Sequence, residues 1–332
     1  MTQQSSATQP LAPPLLLPDA ATGLRWGLLG VVAFSLTVPL TRVAVGGLSP
    51  LFIGSGRAVV AALLAAAALA LTRQRRPRRG QWVRVCVVSA GIVVGFPVLT
   101  SYALTVTPAS HGAVVIALLP AVTAVVVVVR TGERPVPAFW RYSAAGALAA
   151  VFFAVVGSGG PGALHRADLL LFAAVLAAAV GYAEGGLLAR DLGAWQTVSW
   201  ALVVAAPVMT VLTGFAVAAQ TPTGSPAEWA AFGYLSVVSM FLGFFAWYRG
   251  LAIGPMAKVS QVQLVQPVLS IAWAALLLDE HLAATTVLGG LVVIGCAGGA
   301  VRTRIGGDQP PASDQSSSRL VRSRARRRSR RW

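Results

Sequence analysis

Ten runs of about twenty predominantly apolar residues follow one another along the chain, near 24–45, 50–72, 82–105, 108–130, 139–157, 168–189, 195–219, 228–249, 255–278 and 283–301. Each is long enough to cross about 30 Å of hydrocarbon at 1.5 Å per residue. In hydrocarbon a helix is the one single-segment structure that satisfies all its own backbone polar groups. The sequence therefore predicts an all-α integral membrane protein with ten transmembrane helices. Composition agrees, because 11% charged residues in a chain that is 56% hydrophobic cannot cover a water-facing surface. The fifth run is short, with Arg141 and Tyr142 at its start and Gly157-Ser158-Gly159-Gly160-Pro161 after it.

Positive charge orients the spans, since cytoplasmic loops retain Lys and Arg. With the N-terminus inside, 23 of the 26 basic residues fall on the cytoplasmic side: the 73–84 cluster, Arg130, Arg134, Arg141, Arg190, Arg249, Lys258, Arg25 and everything from Arg302 onward. Arg42 and Arg166 fall outside, and Arg57 lies within a span. Both termini are expected in the cytoplasm, with the protein in the cell (inner) membrane.

One pattern is written twice. PAVTAVVVVVRTGE at 120–133 and PVLSIAWAALLLDE at 267–280 each run from a proline to a glutamate, and Pro108 and Pro255 each stand twelve residues upstream. A single shift of 147 residues superposes all three pairs, equating the fourth and ninth runs. Five crossings per half is an odd number, so the second half enters from the opposite face. The prediction is two inverted five-helix repeats, at 23–157 and 168–302, the architecture of a secondary transporter. Pro120 and Pro267 sit inside their runs, where a missing N–H favours a kink. Glu133 and Glu280 sit at run ends, where capping of the next helix is the simplest role and gating the alternative.

The order GLRWGLLGVVAFSLTVPLTRVAVGGLSPLFIGSGRAVVAALL, the helix ending TGERP and the later YRGLAIGPMAKVSQVQLVQPVLSIAWAALLLDEH resemble the drug/metabolite transporter superfamily in its EamA-type branch. The resemblance spans roughly 23–302. It implies ten helices in two inverted halves, a central cavity, and export or exchange of small metabolites. Glu184, where an uncharged residue is expected, and the long arginine tail depart from the family pattern.

The candidate site residues come from polar groups at membrane depth. Glu184, in VGYAEGGLL, is an intramembrane carboxylate expected to line the substrate cavity, where a proton-coupling role competes with a structural hydrogen bond or a reach toward Arg190 at the interface. Gln263, Gln266, Ser270 and Trp273 follow at spacings of three, four and three and so line one helical face. That stripe faces either the substrate cavity or a neighbouring helix. Arg57 either binds an anionic substrate group, pairs with Glu184 or pins neighbouring helices, and the structural role is favoured. Tyr182 and Trp247 are read as pocket-lining aromatics, Tyr102 and Tyr248 as interface anchors, and His111 as a satisfied polar residue. The Gly91/Gly95, Gly181/Gly185 and Gly295/Gly299 pairs are packing features.

Chemistry is poorly represented. Cys86 and Cys296 form no metal-ligand spacing, the three histidines are scattered, and neither a Walker loop nor a serine elbow is present. No cofactor, metal or enzymatic activity is expected; a membrane-embedded enzyme acting on a lipid-borne substrate and a non-transporting scaffold or sensor are the competing readings. Residues 1–22 read as a disordered cytoplasmic lead-in and 303–332 as a disordered Arg-rich tail suited to anionic lipid. The expected partners are the bilayer and a small-molecule substrate, with a homodimer permitted and no nucleic acid expected.

Overall fold

The computed structural model describes residues 20–131, 136–157, 166–253, 259, 262–280 and 284–302. The two terminal segments, Glu133, Pro255 and Lys258 lie outside that set. All regular structure among the described residues is helical: α1 (Ala21–Ala44), α2 (Pro50–Leu71), α3 (Arg79–Ala103), α4 (Ala109–Arg130), α5 (Pro137–Gly157), α6 (Arg166–Leu192), α7 (Ala194–Ala219), α8 (Pro226–Ile253), α9 (Val265–Leu278) and α10 (Ala284–Arg302). Seven of these, α1 to α4 and α6 to α8, are long and apolar enough to cross a membrane. By contrast α9 has 14 residues.

Local sequence explains where the helices begin. Ser49 accepts from the Phe52 N–H ahead of Pro50, and Ser225 and Glu228 form a reciprocal capping box ahead of Pro226. Proline in a first helical turn costs nothing, because the N–H it lacks would be unpaired there. Glu280 was expected to cap the following helix or fix a short loop. Instead its carboxylate crosses to the other half of the chain, accepting from the Ala109 and Ser110 N–H groups at 2.8 and 3.0 Å and so capping α4. Arg42 Nη1 donates to the Leu104 and Thr105 carbonyls, closing the C-terminal end of α3.

Four of the spans are not continuous α-helix. The α1 helix turns at Leu36 between Ala20–Ser35 and Thr37–Ala44. In α3 and α8 the turns widen to π-helix over Ser89–Gly95 and Leu235–Leu242. The α4 helix breaks between Ala109–Ile116 and Leu119–Thr131, and a 3-10 turn at Val262–Leu264 precedes α9. The kinks expected at Pro120 and Pro267 are therefore real breaks that lie just before each proline. Pro120 and Pro267 then occupy the first turn of the resumed helix.

Among the described residues, packing pairs α1 with α8, α2 with α7, α3 with α6 and α5 with α10, while α4 packs chiefly on α6 and α9 chiefly on α1. Small residues set the closest approaches. A side chain at Gly91 would meet the Ala177 carbonyl and stand 3.1 Å from Gly181 Cα, and one at Gly30 would stand 2.9 Å from the Trp247 nitrogen. The Gly181/Gly185 pair packs the same way, against Ile92 and Tyr248. Gly295 does not, having nothing within 4 Å of its Cβ position, whereas Gly299 lies against Tyr142. Substituting Gly91→Ala is expected to lower stability by about 1–3 kcal/mol, because the obstructing atoms are backbone and cannot rotate away. Gly214→Ala, on the open face of α7, should be neutral or stabilising by up to about 1 kcal/mol. Thermal unfolding in detergent reads the opposite signs.

Candidate functional site

The helix breaks converge on two adjoining cavities. The larger is lined by Phe34 and Thr37 from either side of the α1 turn, by Ile92 from the α3 π-segment, and by Ser239 and Met240 from the α8 π-segment. Val38, Arg57, Phe96, Ala178, Tyr182, Phe244 and Gln266 complete its wall. The smaller shares Val38 and Gln266 and adds Ala113, Ile116, Leu119, Pro120, Gln263, Pro267 and Ser270 from the breaks in α4 and ahead of α9. Ile116 and Leu119 flank one break and Gln263 sits in the other. Among the described residues, each of these interruptions of regular helix delivers side chains to this region.

The walls are aromatic and apolar, with a few polar groups left over. Phe34, Tyr182 and Phe244 form a ring cluster with centroids 4.8–6.4 Å apart. Thr37 and Ser239 share a 2.8 Å hydrogen bond between α1 and α8. Arg57 is 1% exposed, yet its Nε and Nη1 have no hydrogen-bond partner. Gln266 Oε1 and both ends of the buried Gln263 amide are likewise unsatisfied. Native interiors pair nearly all buried polar atoms, so a group of orphans around one space marks room for water or a ligand.

The polar stripe anticipated on the ninth helix divides in two. Gln263 and Gln266 line the cavities. Ser270 Oγ also reaches the smaller cavity but donates to the Ser35 carbonyl at 2.7 Å, and Trp273 Nε1 donates to Ser35 Oγ at 3.1 Å. The packing alternative holds for this second pair, which clamps α9 to the turn of α1 and supplies a donor to a carbonyl at the helix break.

Tyr182 lines the cavity as expected, but Trp247 stands behind it: it is fully buried, its ring 5.6 Å from that of Tyr182, and its backbone fills the space beside Gly30. A tryptophan in that close-packed slot cannot reach the lumen. Tyr248 is also fully buried and donates to the Gly181 carbonyl at 3.0 Å, so it is a packing residue rather than an interface anchor, whereas Tyr102 is 42% exposed.

Glu184 does not line either cavity, and it does not pair with Arg57 or Arg190. Its carboxylate accepts from Arg84 Nε at 3.0 Å and from Arg130 Nε, and Arg84 continues to Asp191 at 3.4 Å. These four residues tie the start of α3, the end of α4 and the last turns of α6 into one charged cluster. The reason is geometric: Glu184 faces α3 and α4 at the level where their basic termini arrive, so charge pairing outcompetes exposure to the lumen.

At the other end of α4, His111 Nε2 lies 2.7 Å from Asp168 Oδ1, and Asp168 is 1% exposed. His111 is thus the satisfied polar residue expected, and its partner Asp168, which carried no sequence signal, stands in the first turn of α6 where a carboxylate complements the helix dipole. The cavity residues Phe34, Thr37, Ile92, Phe96, Ala178, Ser239, Met240 and Phe244 were also missed. Only the π-segments had any sequence signal, since the 147-residue shift carries 89–95 onto 236–242. No group of three or more potential metal ligands occurs among the described residues.

Comparison with known proteins places this geometry in context. The family model described as "EamA-like transporter family" matches the chain twice, over residues 21–156 and 165–300. A Bacillus subtilis protein named "Uncharacterized transporter YdeK" is 41% identical over 83% of this chain and 96% of its own length. A Streptantibioticus cattleyicolor protein named "Probable terminal-alkyne amino-acid exporter" is 27% identical over 73% of this chain and 82% of its own. A solved structure described as "Crystal structure of protein" shares the fold with a TM-score of 0.60, covering 85% of this chain and 97% of that one at 18% identity.

Replacing Glu184 with Gln should destabilise the protein by about 1–3 kcal/mol, since charge-assisted bonds to two arginines are lost and Arg130, with its side chain 52% exposed, regains water. Asp191→Asn should cost less than about 0.5 kcal/mol, its carboxylate being 59% exposed and 3.4 Å from Arg84. Paired thermal unfolding curves test the ranking.

Proposed function

From the premise that the chain belongs to the EamA-like transporter family and is a multi-pass membrane transporter, we propose that it is a secondary exporter or exchanger of small amino-acid-like or amphipathic metabolites. The single observation that carries this reading is the lined cavity at the junction of helices from both halves, with polar atoms left unsatisfied around it. The relative named as an amino-acid exporter supports the substrate class. An enzyme acting on a lipid-borne substrate finds no support in the cavity, whose lining carries no nucleophile–base pair.

The proposed architecture is ten spans in two inverted five-helix repeats, 23–157 and 168–302, with both termini in the cytoplasm of the cell (inner) membrane. Three observations support it. The family model matches two successive stretches. The helix pairs 2–7 and 5–10 map onto themselves under exchange of halves, 1–8 exchanges with 3–6, and 4–6 exchanges with 1–9. The shift that superposes Pro120 on Pro267 and Glu133 on Glu280 also superposes the π-segments, and carries the α4 break at 117–118 onto 264–265, where the 3-10 turn gives way to α9.

Alternating access then requires contacts that hold one side and release. Glu184 is better suited to this than to carrying a proton through the lumen: with Arg84 and Arg130 it fastens α3, α4 and α6 on the cytoplasmic side. On the exterior side Glu280, on the N-terminus of α4, joins the halves, and Pro120 and Pro267 set the bends between. The Arg-rich tail would rest on anionic lipid.

Transport is tested in proteoliposomes by following uptake and efflux of a mixed metabolite pool with and without a pH gradient. Ala178→Phe, which fills the larger cavity, is expected to reduce flux at least about tenfold, a barrier increase of about 1.4 kcal/mol, in a protein that remains monodisperse. Undiminished flux in that variant would remove the cavity from the path.

A further inference from the structure

Arg57 presents a problem that the transport reading does not by itself solve. Its guanidinium is buried to 1% exposure among Phe34, Ile92, Phe96 and Phe244, and neither Nε nor Nη1 finds an acceptor. Placing a cation in such surroundings is costly unless a counter-charge accompanies it. The described carboxylates do not provide one. Asp168 lies on His111, Glu184 and Asp191 lie on Arg84 and Arg130, Glu228 caps α8, Glu280 caps α4, and Asp279 is exposed. The residues lining the larger cavity include none that is acidic.

Resting on the cavity as the transport path, we infer that the larger cavity is a carboxylate-binding site: the substrate is a small carboxylic acid with an apolar body, its carboxylate received by Arg57. A planar guanidinium matches a carboxylate with two parallel N–H···O bonds, and the low-polarity surroundings strengthen them. The rest of the wall fits the other end of such a molecule. Phe34, Phe96, Phe244, Ile92 and Met240 offer apolar contact, while Thr37, Ser239, Gln266 and the Tyr182 hydroxyl offer oxygen acceptors for an amino group without supplying an acid. The site therefore accepts a zwitterion or a plain carboxylate and rejects a cationic amine, which would meet Arg57 with like charge. The orphaned Gln266 Oε1 shares this cavity and is placed to accept from the ligand.

The test uses the full-length protein and four probes that share one body: L-leucine, isovalerate, L-leucinamide and isoamylamine. Binding is followed by calorimetry and by thermal shift at constant ionic strength. The two carboxylates should bind and the two amines should not. Arg57→Gln should weaken the carboxylates about 10- to 100-fold, the loss expected for a charge-assisted bond, and Arg57→Lys should recover part of it. Because removing a buried arginine also perturbs packing, Gln266→Glu provides an independent arm. It places an acid inside the cavity, so the protein should fold at least as stably as wild type while carboxylate binding falls by a similar factor.

Equal binding of leucinamide and leucine, no carboxylate bound at all, or undiminished carboxylate binding in a folded Gln266→Glu variant would each overturn the assignment. The transport reading fails separately. Proteoliposomes that move neutral or cationic metabolites equally well in wild type and Arg57→Gln would sink the carboxylate site and leave the transporter standing. Carboxylate binding without flux of any metabolite would do the reverse.

Discussion

In a bilayer, backbone groups released from a helix find no water, so every departure from regular helix must be buried and resupplied with partners. That constraint organises this molecule. The turn at Leu36, the two π-segments, and the breaks ahead of Pro120 and Pro267 all face inward on the same region. Ser270 and Trp273 attend to Ser35 at the first of them. A lumen is the natural result, because irregular backbone and polar side chains are expelled from lipid and collected where protein surrounds them. The same collection makes the region able to bind a polar solute.

How much of this was written legibly in the sequence depended on periodicity and charge. Apolar run length located helical segments, and the spacing of Pro108, Pro120 and Glu133 against Pro255, Pro267 and Glu280 is the basis on which a correspondence of halves is proposed. The glycine pairs at 91/95 and 181/185 were legible as contact surfaces because a missing Cβ has one main use in a span. Depth along a helix could be counted, so Gln263 and Gln266 were found. Direction around it could not be finished from one helix alone. Trp273 shares a face with Gln266, yet its partner is Ser35, a residue 238 positions away whose location follows only from the turn in α1. Trp247 and Glu184 were misassigned for the same reason: the neighbouring helix, through Gly30 in one case and Arg84 and Arg130 in the other, decided what each side chain met.

The charges illustrate a second limit. A lone intramembrane carboxylate invites a functional reading, and Glu184 was the most conspicuous such group in the sequence. It proves to be the best-paired acid in the described structure, engaged by two arginines. Arg57, which invited a structural reading, is the buried charge without an acceptor at Nε and Nη1. Rarity in the sequence therefore says that a charged residue matters, and only the partner count says whether it holds the protein together or waits for something else.

Duplication and specificity pull against each other here. A symmetric pair of halves can exchange places across the membrane with little change in internal energy, which favours interconversion of two accessible states. A perfectly symmetric lumen would also be indifferent to the orientation of its solute. The described cavity is not symmetric: the 147-residue shift takes Arg57 to Val204, Tyr182 back to Ser35, and Gln266 and Gln263 back to Leu119 and Ile116. Polar groups have thus been placed in one copy of each equivalent pair and apolar or smaller ones in the other, while the prolines that shape the fourth and ninth helices were kept in both. The repeat conserves the hinge geometry, and the departures from it supply the chemistry; a residue such as Arg57, with no counterpart in the other half, is where selectivity for one end of a substrate has to originate.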